Sequence, residues 1–308
     1  MPAIDPIVLK ILDVVPFRLT LDDGVESARR TLRDLPRRPI HPEVISENRV
    51  IDGPGGDLPI RIYRPAGTAA GPVPVVVYFH GGGFVAGDLD THDGIARLHV
   101  ANTGAVVVSV DYRLAPEHPF PAAVEDAMAA TEWVAAHAAE LGVDPARLAV
   151  AGDSAGGNLA AVVAQLARDA GGPSIAFQLL WYPATCYDAT LPSFTENAQA
   201  PILDEKAIAA LTLAYAGHVD LTEPPATLAP ARATELTGLP PAYIAVAAHD
   251  PLRDDGIHYG HLLAAAGVAV TVHNAETMIH GYLGYAGVVP AATEATDLGL
   301  AALRTALS

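Results

Sequence analysis

Leu148-Ala149-Val150-Ala151-Gly152-Asp153-Ser154-Ala155-Gly156-Gly157-Asn158-Leu159-Ala160 decides how this chain is read. The stretch begins as a short apolar run, the pattern of a buried strand. It ends as an alanine-rich amphipathic pattern, which predicts a helix to about Ala170. The chain must therefore reverse within Gly152-Asp153-Ser154-Ala155-Gly156, a G-x-S-x-G sequence. A turn this tight forces strained backbone at the serine and leaves no room for side chains two residues to either side. Glycine at 152 and 156 meets that demand. The Ser154 hydroxyl then stands at a strand end and at a helix N-terminus, where free N–H groups favour developing negative charge. The plainer alternative is an ordinary strand–turn–helix with a small residue at the bend. What separates the two is whether an oxyanion loop lies upstream, and an acid and a histidine downstream.

Upstream, Val73 to Phe79 reads as a buried strand, followed by His80-Gly81-Gly82-Gly83-Phe84. Backbone amides converge on a small oxyanion only where no side chain blocks the approach, and consecutive glycines allow that. A phosphate-cradling loop is the competing reading, but neither G-K-[ST] nor G-x-G-x-x-G is present. Downstream, the strand Ala242 to Ala247 leads into His249-Asp250-Pro251-Leu252-Arg253-Asp254-Asp255. Asp250 is placed just past the strand end. Asp254 and Asp255 fall where a helix begins and acids satisfy free amides. A last strand, Val268 to His273, precedes Met278-Ile279-His280-Gly281-Tyr282. His280 lies in a loop at the same sheet edge, and His273, at a strand end, is its rival. The order Ser154, Asp250, His280 is that of α/β-hydrolases.

The rest of the chain supports a large α/β unit. Its 308 residues are 51% hydrophobic and 17% charged. Val44 to Ile51 and Leu58 to Tyr63 form an expected hairpin, and strands then alternate with helices. That pattern means a mostly parallel sheet with an antiparallel N-terminal edge and helices on both faces. Two helical pieces split by Pro16 precede it. From Pro183 to about Pro241 the alternation breaks, with a helix near Asp204 to Gly217. An insertion of that length between strands is usually functional. We expect one domain over residues 1–308, in which the N-terminal helical pair could be core or lid.

Net charge −17 argues against nucleic acid and anionic membranes as partners. No apolar run is long enough to span a bilayer, and the N-terminus has no signal-peptide layout. Cys186 is the only cysteine, so no intrachain disulfide forms and a cytoplasmic home is expected. His258 and His261 stand three apart on a predicted helix but lack a third metal ligand. No metal or organic cofactor is expected.

These motifs together resemble the hormone-sensitive-lipase-like esterases, the bacterial group also called family IV. His80-Gly81-Gly82-Gly83, Asp111-Tyr112-Arg113-Leu114-Ala115-Pro116-Glu117, Gly152-Asp153-Ser154-Ala155-Gly156-Gly157, Asp250-Pro251-Leu252-Arg253-Asp254 and His280-Gly281 carry the resemblance. Ser193-Phe194-Thr195-Glu196-Asn197-Ala198 is similar to a further segment of that family. The resemblance implies Ser154 as nucleophile, His280 as base and Asp250 as acid. It implies an oxyanion hole from the amides of Gly82, Gly83 and Ala155, with His80, Gly81, Asp153 and Glu196 in support. The resemblance also implies a cap from about 1–42 and about 185–235 that shapes the acyl and alcohol pockets. With a short cap, the expected substrate is a small-molecule ester with a small to medium acyl group. Ala200-Pro201 departs from the family pattern and bears on the substrate pocket. Members of the family often dimerise, and a homodimer is left open. A peptidase or amidase on the same fold is the second reading. A ligand-binding protein that has lost catalysis is the third.

Overall fold

The computed structural model describes residues 2–67 and 71–308. Eight strands form one sheet: β1 Ile45–Gly53, β2 Gly56–Arg64, β3 Val73–Phe79, β4 Val106–Val110, β5 Val143–Asp153, β6 Phe177–Trp181, β7 Ala242–His249 and β8 Val270–Ile279. The order across the sheet is β1-β2-β4-β3-β5-β6-β7-β8. The β1–β2 hairpin and the β2–β4 pair are antiparallel, and every other pair is parallel. The antiparallel N-terminal edge is therefore as expected.

The helices among the described residues are α1 Pro6–Val14, α2 Val25–Asp34, α3 Asp93–Thr103, α4 Ala122–Ala136, α5 Ala138–Leu141, α6 Ala155–Ala170, α7 Pro192–Glu196, α8 Glu205–Ala216, α9 Arg253–Ala265 and α10 Pro290–Ala306. Alternate strand residues sort onto the two faces, as the period of two requires. Val75, Val77 and Phe79 of β3 join α4, α6 and α9 in one apolar cluster. Val76 and Tyr78 join α1, α3 and α10 in the other. A central strand buried on both faces favours apolar residues at nearly every position, which is why β3 and β4 read as apolar runs, interrupted in β4 only by the buried Ser109.

One strand end and one helix differ from the sequence reading. β8 continues to Ile279, so His273 lies inside the strand and His280 follows its end directly. The cause is pairing: β7 supplies a partner register as far as His249↔Ile279, which holds polar Asn274 and Glu276 in an edge strand. Helix α3, the crossover between β3 and β4, was not anticipated. Between β6 and β7 no sheet strand forms among the described residues, as expected. None of the described helices is long and apolar enough to cross a membrane.

Candidate active site

Strand register brings the separate motifs to one edge. Phe79 pairs with Gly152, so the loop after β3 starts beside the serine turn. His249 pairs with Ile279, so Asp250 and His280 leave the sheet as neighbours. Side-chain geometry completes the arrangement. His280 Nδ1 lies 2.7 Å from Asp250 Oδ2, and His280 Nε2 lies 2.8 Å from Ser154 Oγ. Asp250 is fully buried, and its Oδ1 accepts the Leu252 N–H at 2.8 Å. With Nδ1–H donating to the carboxylate, Nε2 is left to accept the serine proton. His273 and Asp254 take no part in this chain of bonds.

Ser154 sits at φ 56°, ψ −116° between β5 and α6, a strained conformation for a residue with a side chain. Packing enforces it. A Cβ at Gly152 would meet the Gly156 carbonyl, and a Cβ at Gly156 would meet the Phe79 carbonyl. The Ser154 N–H donates to Trp181 O at 2.8 Å and fixes the turn against β6.

The glycine loop is held from below. Asp153 Oδ1 accepts the Gly81 N–H at 2.9 Å and the Tyr78 hydroxyl. His92 Nε2 lies 3.6 Å from Asp153 Oδ2. Burial pushes the Asp153 carboxyl up, but His92 and the Tyr78 hydroxyl outweigh it and hold it below its ordinary value. His80 is fully buried and stacks on Tyr112 with ring centroids 4.3 Å apart. Burial lowers its pKa to about 4, so the ring is neutral and its Nδ1–H donates to Gly81 O at 2.8 Å. The Tyr112 hydroxyl donates to His80 O at 2.7 Å. Above this base, the N–H groups of Gly82, Gly83 and Ala155 meet no acceptor among the described residues. Three unclaimed amides next to a serine bonded to histidine and acid form an arrangement that can stabilise an oxyanion.

Residues 76–284 match the family model described as alpha/beta hydrolase fold. The chain belongs to that family. Among its relatives, esterase LipI of Mycobacterium tuberculosis is 66% identical over 307 residues, spanning 99% of this chain and 96% of that protein. Carboxylesterase NlhH of the same species is 56% identical over 311 residues, spanning 99% and 97%. The crystal structure of DphMB1 superposes with a TM-score of 0.96 at 64% identity, covering 99% of this chain and 100% of that one. The resemblance to hormone-sensitive-lipase-like esterases read from the motifs holds.

In this α/β-hydrolase an apolar pocket opens beside Ser154, Gly83 and Ala155. Leu19, Phe84, Leu203, Ile208 and Leu211 line it. They come from the N-terminal region, the glycine loop and the stretch between β6 and β7. Leu211 of α8 sits directly over the glycine loop: a Cβ at Gly83 would lie 2.7 Å from its Cδ1.

Glu196 lies outside this pocket. Its carboxylate is 45% exposed and pairs with Arg253 at 2.8 Å. Arg253 belongs to the stretch that starts at Asp250, and the neighbours Ser193 and Asn197 secure the same stretch. Ser193 Oγ donates to Pro251 O at 2.6 Å, and Asn197 Nδ2 donates to Asp250 O at 3.2 Å. Both stand in the segment whose family likeness was noted, so the segment was legible while its working atoms were not. Asp255, read as a plain helix-start acid, instead turns away from its own helix. Its Oδ1 accepts the N–H groups of Thr185 and Cys186 at 3.2 and 2.6 Å. Tyr78, His92 and Tyr112 brace the glycine loop from below, and no local pattern marks a buried tyrosine or histidine as a brace.

Proposed function

We propose that this carboxylesterase works through Ser154 as nucleophile, His280 as general base and acid, and Asp250 as the group that orients the imidazole. Ester hydrolysis is the activity carried in the names of its relatives. His280 Nε2 takes the Ser154 proton as Oγ attacks the ester carbonyl carbon. The carbonyl oxygen becomes an oxyanion received by the amides of Gly82, Gly83 and Ala155, each worth about 3 kcal/mol in such sites. Asp250 stabilises the imidazolium that forms. The tetrahedral centre collapses, the alcohol leaves with the proton from His280, and an acyl-Ser154 ester remains. Water, deprotonated by His280, attacks that ester, releasing the acid and restoring the serine.

The observation that carries the assignment is the unbroken run of hydrogen bonds Asp250–His280–Ser154 beneath three unclaimed amides. The test is covalent. A serine-directed organophosphate should label Ser154 at one equivalent per chain. Ser154→Ala should fold normally and lose about five to six orders of magnitude in turnover. Labelling at another serine, or a Ser154→Ala protein that keeps working, overturns the assignment.

The α1–α2 region and the stretch from about 185 to 235 act as a cap on a single domain. The apolar lining from both segments around Ser154 supports this reading. A covered pocket limits the buried chain length, so the acyl group is small to medium. A cytoplasmic location fits the one buried, free thiol, Cys186.

A further inference from the structure

The pocket wall beside Ser154 is apolar except at a few side chains, and one of these is a carboxyl. Asp255 lines the pocket yet is only 1% exposed. Its Oδ1 is taken by the Thr185 and Cys186 amides. No N–H or O–H among the described residues reaches its Oδ2. The neighbouring groups offer little. The Cys186 thiol, a weak donor, lies beside the carboxyl, and Asp250 adds a like charge. The Tyr187 hydroxyl, also lining the pocket, makes no hydrogen bond among the described residues, and burial followed by the Asp255 charge pushes its pKa up. Burial likewise raises the Asp255 carboxyl to about 7.

Anchoring two amides does not call for a buried acid. A neutral asparagine oxygen would accept the same N–H groups without the cost of desolvating a charge. What an asparagine does not supply is a second acceptor oxygen, here on a residue that lines the pocket.

We infer that the pocket beside Ser154 takes esters whose acyl or alcohol chain carries a hydrogen-bond donor, a hydroxyl or an ammonium, and that Asp255 receives it. The inference rests on the ester-hydrolase reading above and narrows its substrate class. The donor supplies the partner that Oδ2 lacks, and a plain alkyl chain leaves that oxygen buried and unpaired. A site built to receive a donor discriminates strongly against the analogue lacking it.

The test uses isosteric pairs at pH 8.5, where Asp255 is ionised. On the acyl side, p-nitrophenyl 3-methylbutyrate is compared with the 3-hydroxybutyrate and 3-aminobutyrate esters. On the alcohol side, propyl butyrate is compared with 2-hydroxyethyl butyrate. In the wild type kcat/KM should favour a donor-bearing member by about tenfold or more in at least one series, the scale of one buried hydrogen bond made or lost. The hydroxyl and amino arms separate the two donor types. Asp255→Asn keeps one oxygen for the amides and turns an NH2 to the pocket, so that ratio should fall to about one or invert. Wild-type preference for the methyl members throughout, or a ratio unchanged in Asp255→Asn, overturns the inference and leaves Asp255 as an anchor alone. If the variant does not fold, the wild-type ratios decide. Failure to hydrolyse any ester, methyl members included, would instead overturn the esterase reading itself.

Discussion

The serine turn and the proposed cap face each other across one pocket and are built in different ways. Around the turn, β5 and α6 are packed without gaps: Ala149, Val150, Ala151, Leu159 and Ala160 are all fully buried. In the cap, α1 and α2 each bury a single residue, Val8 and Ala28. Its two segments are tied to each other by pairs such as Arg18–Asp204 and Lys206–Asp22, with three of these four side chains more than half exposed. The Ser154 turn thus sits on elements that are buried throughout. The α1–α2 half of the proposed cap has far less buried area, whereas α8 buries Ala207, Leu211, Tyr215 and Ala216. Geometry that must be exact to a fraction of an ångström is fixed by sterics, and shape that can vary between substrates is left to a looser layer.

The largest effect expected from this contrast is at Gly156. A Cβ there would strike the Phe79 carbonyl and lie 2.7 Å from the His80 carbonyl. Both are backbone, so no rotamer relieves the clash, and the backbone in question carries the glycine loop. Gly156→Ala should cost more than about 4 kcal/mol, in the range of severe core damage. Gly24, before α2, has φ +86° and open space where a Cβ would go. Gly24→Ala should therefore cost only backbone strain, about 1–3 kcal/mol, since φ 86° with ψ 166° is a region that residues with a Cβ rarely adopt. Urea unfolding of both variants measures the pair. Similar losses at the two positions would mean that the turn is no more tightly constrained than the cap.

The same contrast explains what the sequence disclosed. G-x-S-x-G and the triple glycine are steric requirements that very few residue types satisfy, so they stood out as motifs. The acid and histidine were legible because each follows a strand end, and strand ends are visible in apolar runs. Helix α3 hid because its residues Asp93–Thr103 bury only Ala96, His99 and Val100 and show no strong apolar stripe. The far half of β8 hid because an edge strand exposes Thr271, Asn274 and Glu276 and is held by pairing with β7. The pocket hid for a related reason. Leu19, Tyr187, Leu211 and Asp255 come from four distant segments, and no local pattern joins them.

A second test probes how much electrostatic burden the rigid half tolerates. Asp111 follows β4, and its carboxyl has no hydrogen bond among the described residues. Burial, then the charges of Asp88 and Asp90, raise its pKa from 3.8 to about 6, opposed only by Arg61. A raised carboxylate pKa means that the folded state binds a proton more tightly than the unfolded chain. Stability is therefore lost as pH rises from about 4 through 6, and the deficit persists above that. Asp111→Asn should raise stability by about 1–2 kcal/mol at pH 8, a figure discounted for partial solvent screening, and by almost nothing at pH 4. Denaturant midpoints at the two pH values provide the check. A gain of equal size at both would assign the effect to packing and not to charge.

The smallest effects should lie in the cap, and two arginines there make the comparison sharp. Arg29 of α2 reaches the loop beside the oxyanion glycines. Its Nε donates to Val85 O at 2.8 Å and its Nη2 to Ala115 O at 2.9 Å, while Glu117 pairs with it at 2.6 Å. Only 16% of the Arg29 side chain is exposed. Removing it leaves two part-buried carbonyls without a donor, at roughly 1–3 kcal/mol. It also frees the segment next to Phe84, so Arg29→Ala should lower kcat as well as stability. Arg18 has one partner, Asp204, at 2.7 Å, and its side chain is 57% exposed. Solvent and salt screen such a pair, and ordering two long side chains offsets most of what remains. Arg18→Ala should therefore shift stability by less than about 1 kcal/mol, leave kcat unchanged and move KM by less than about twofold. Raising the salt concentration in the wild type should reproduce that small KM change. If Arg18→Ala instead lowers kcat as Arg29→Ala does, the two cap segments are coupled to the chemistry through their surface pairs, and the division between a rigid catalytic edge and a loosely held cap fails.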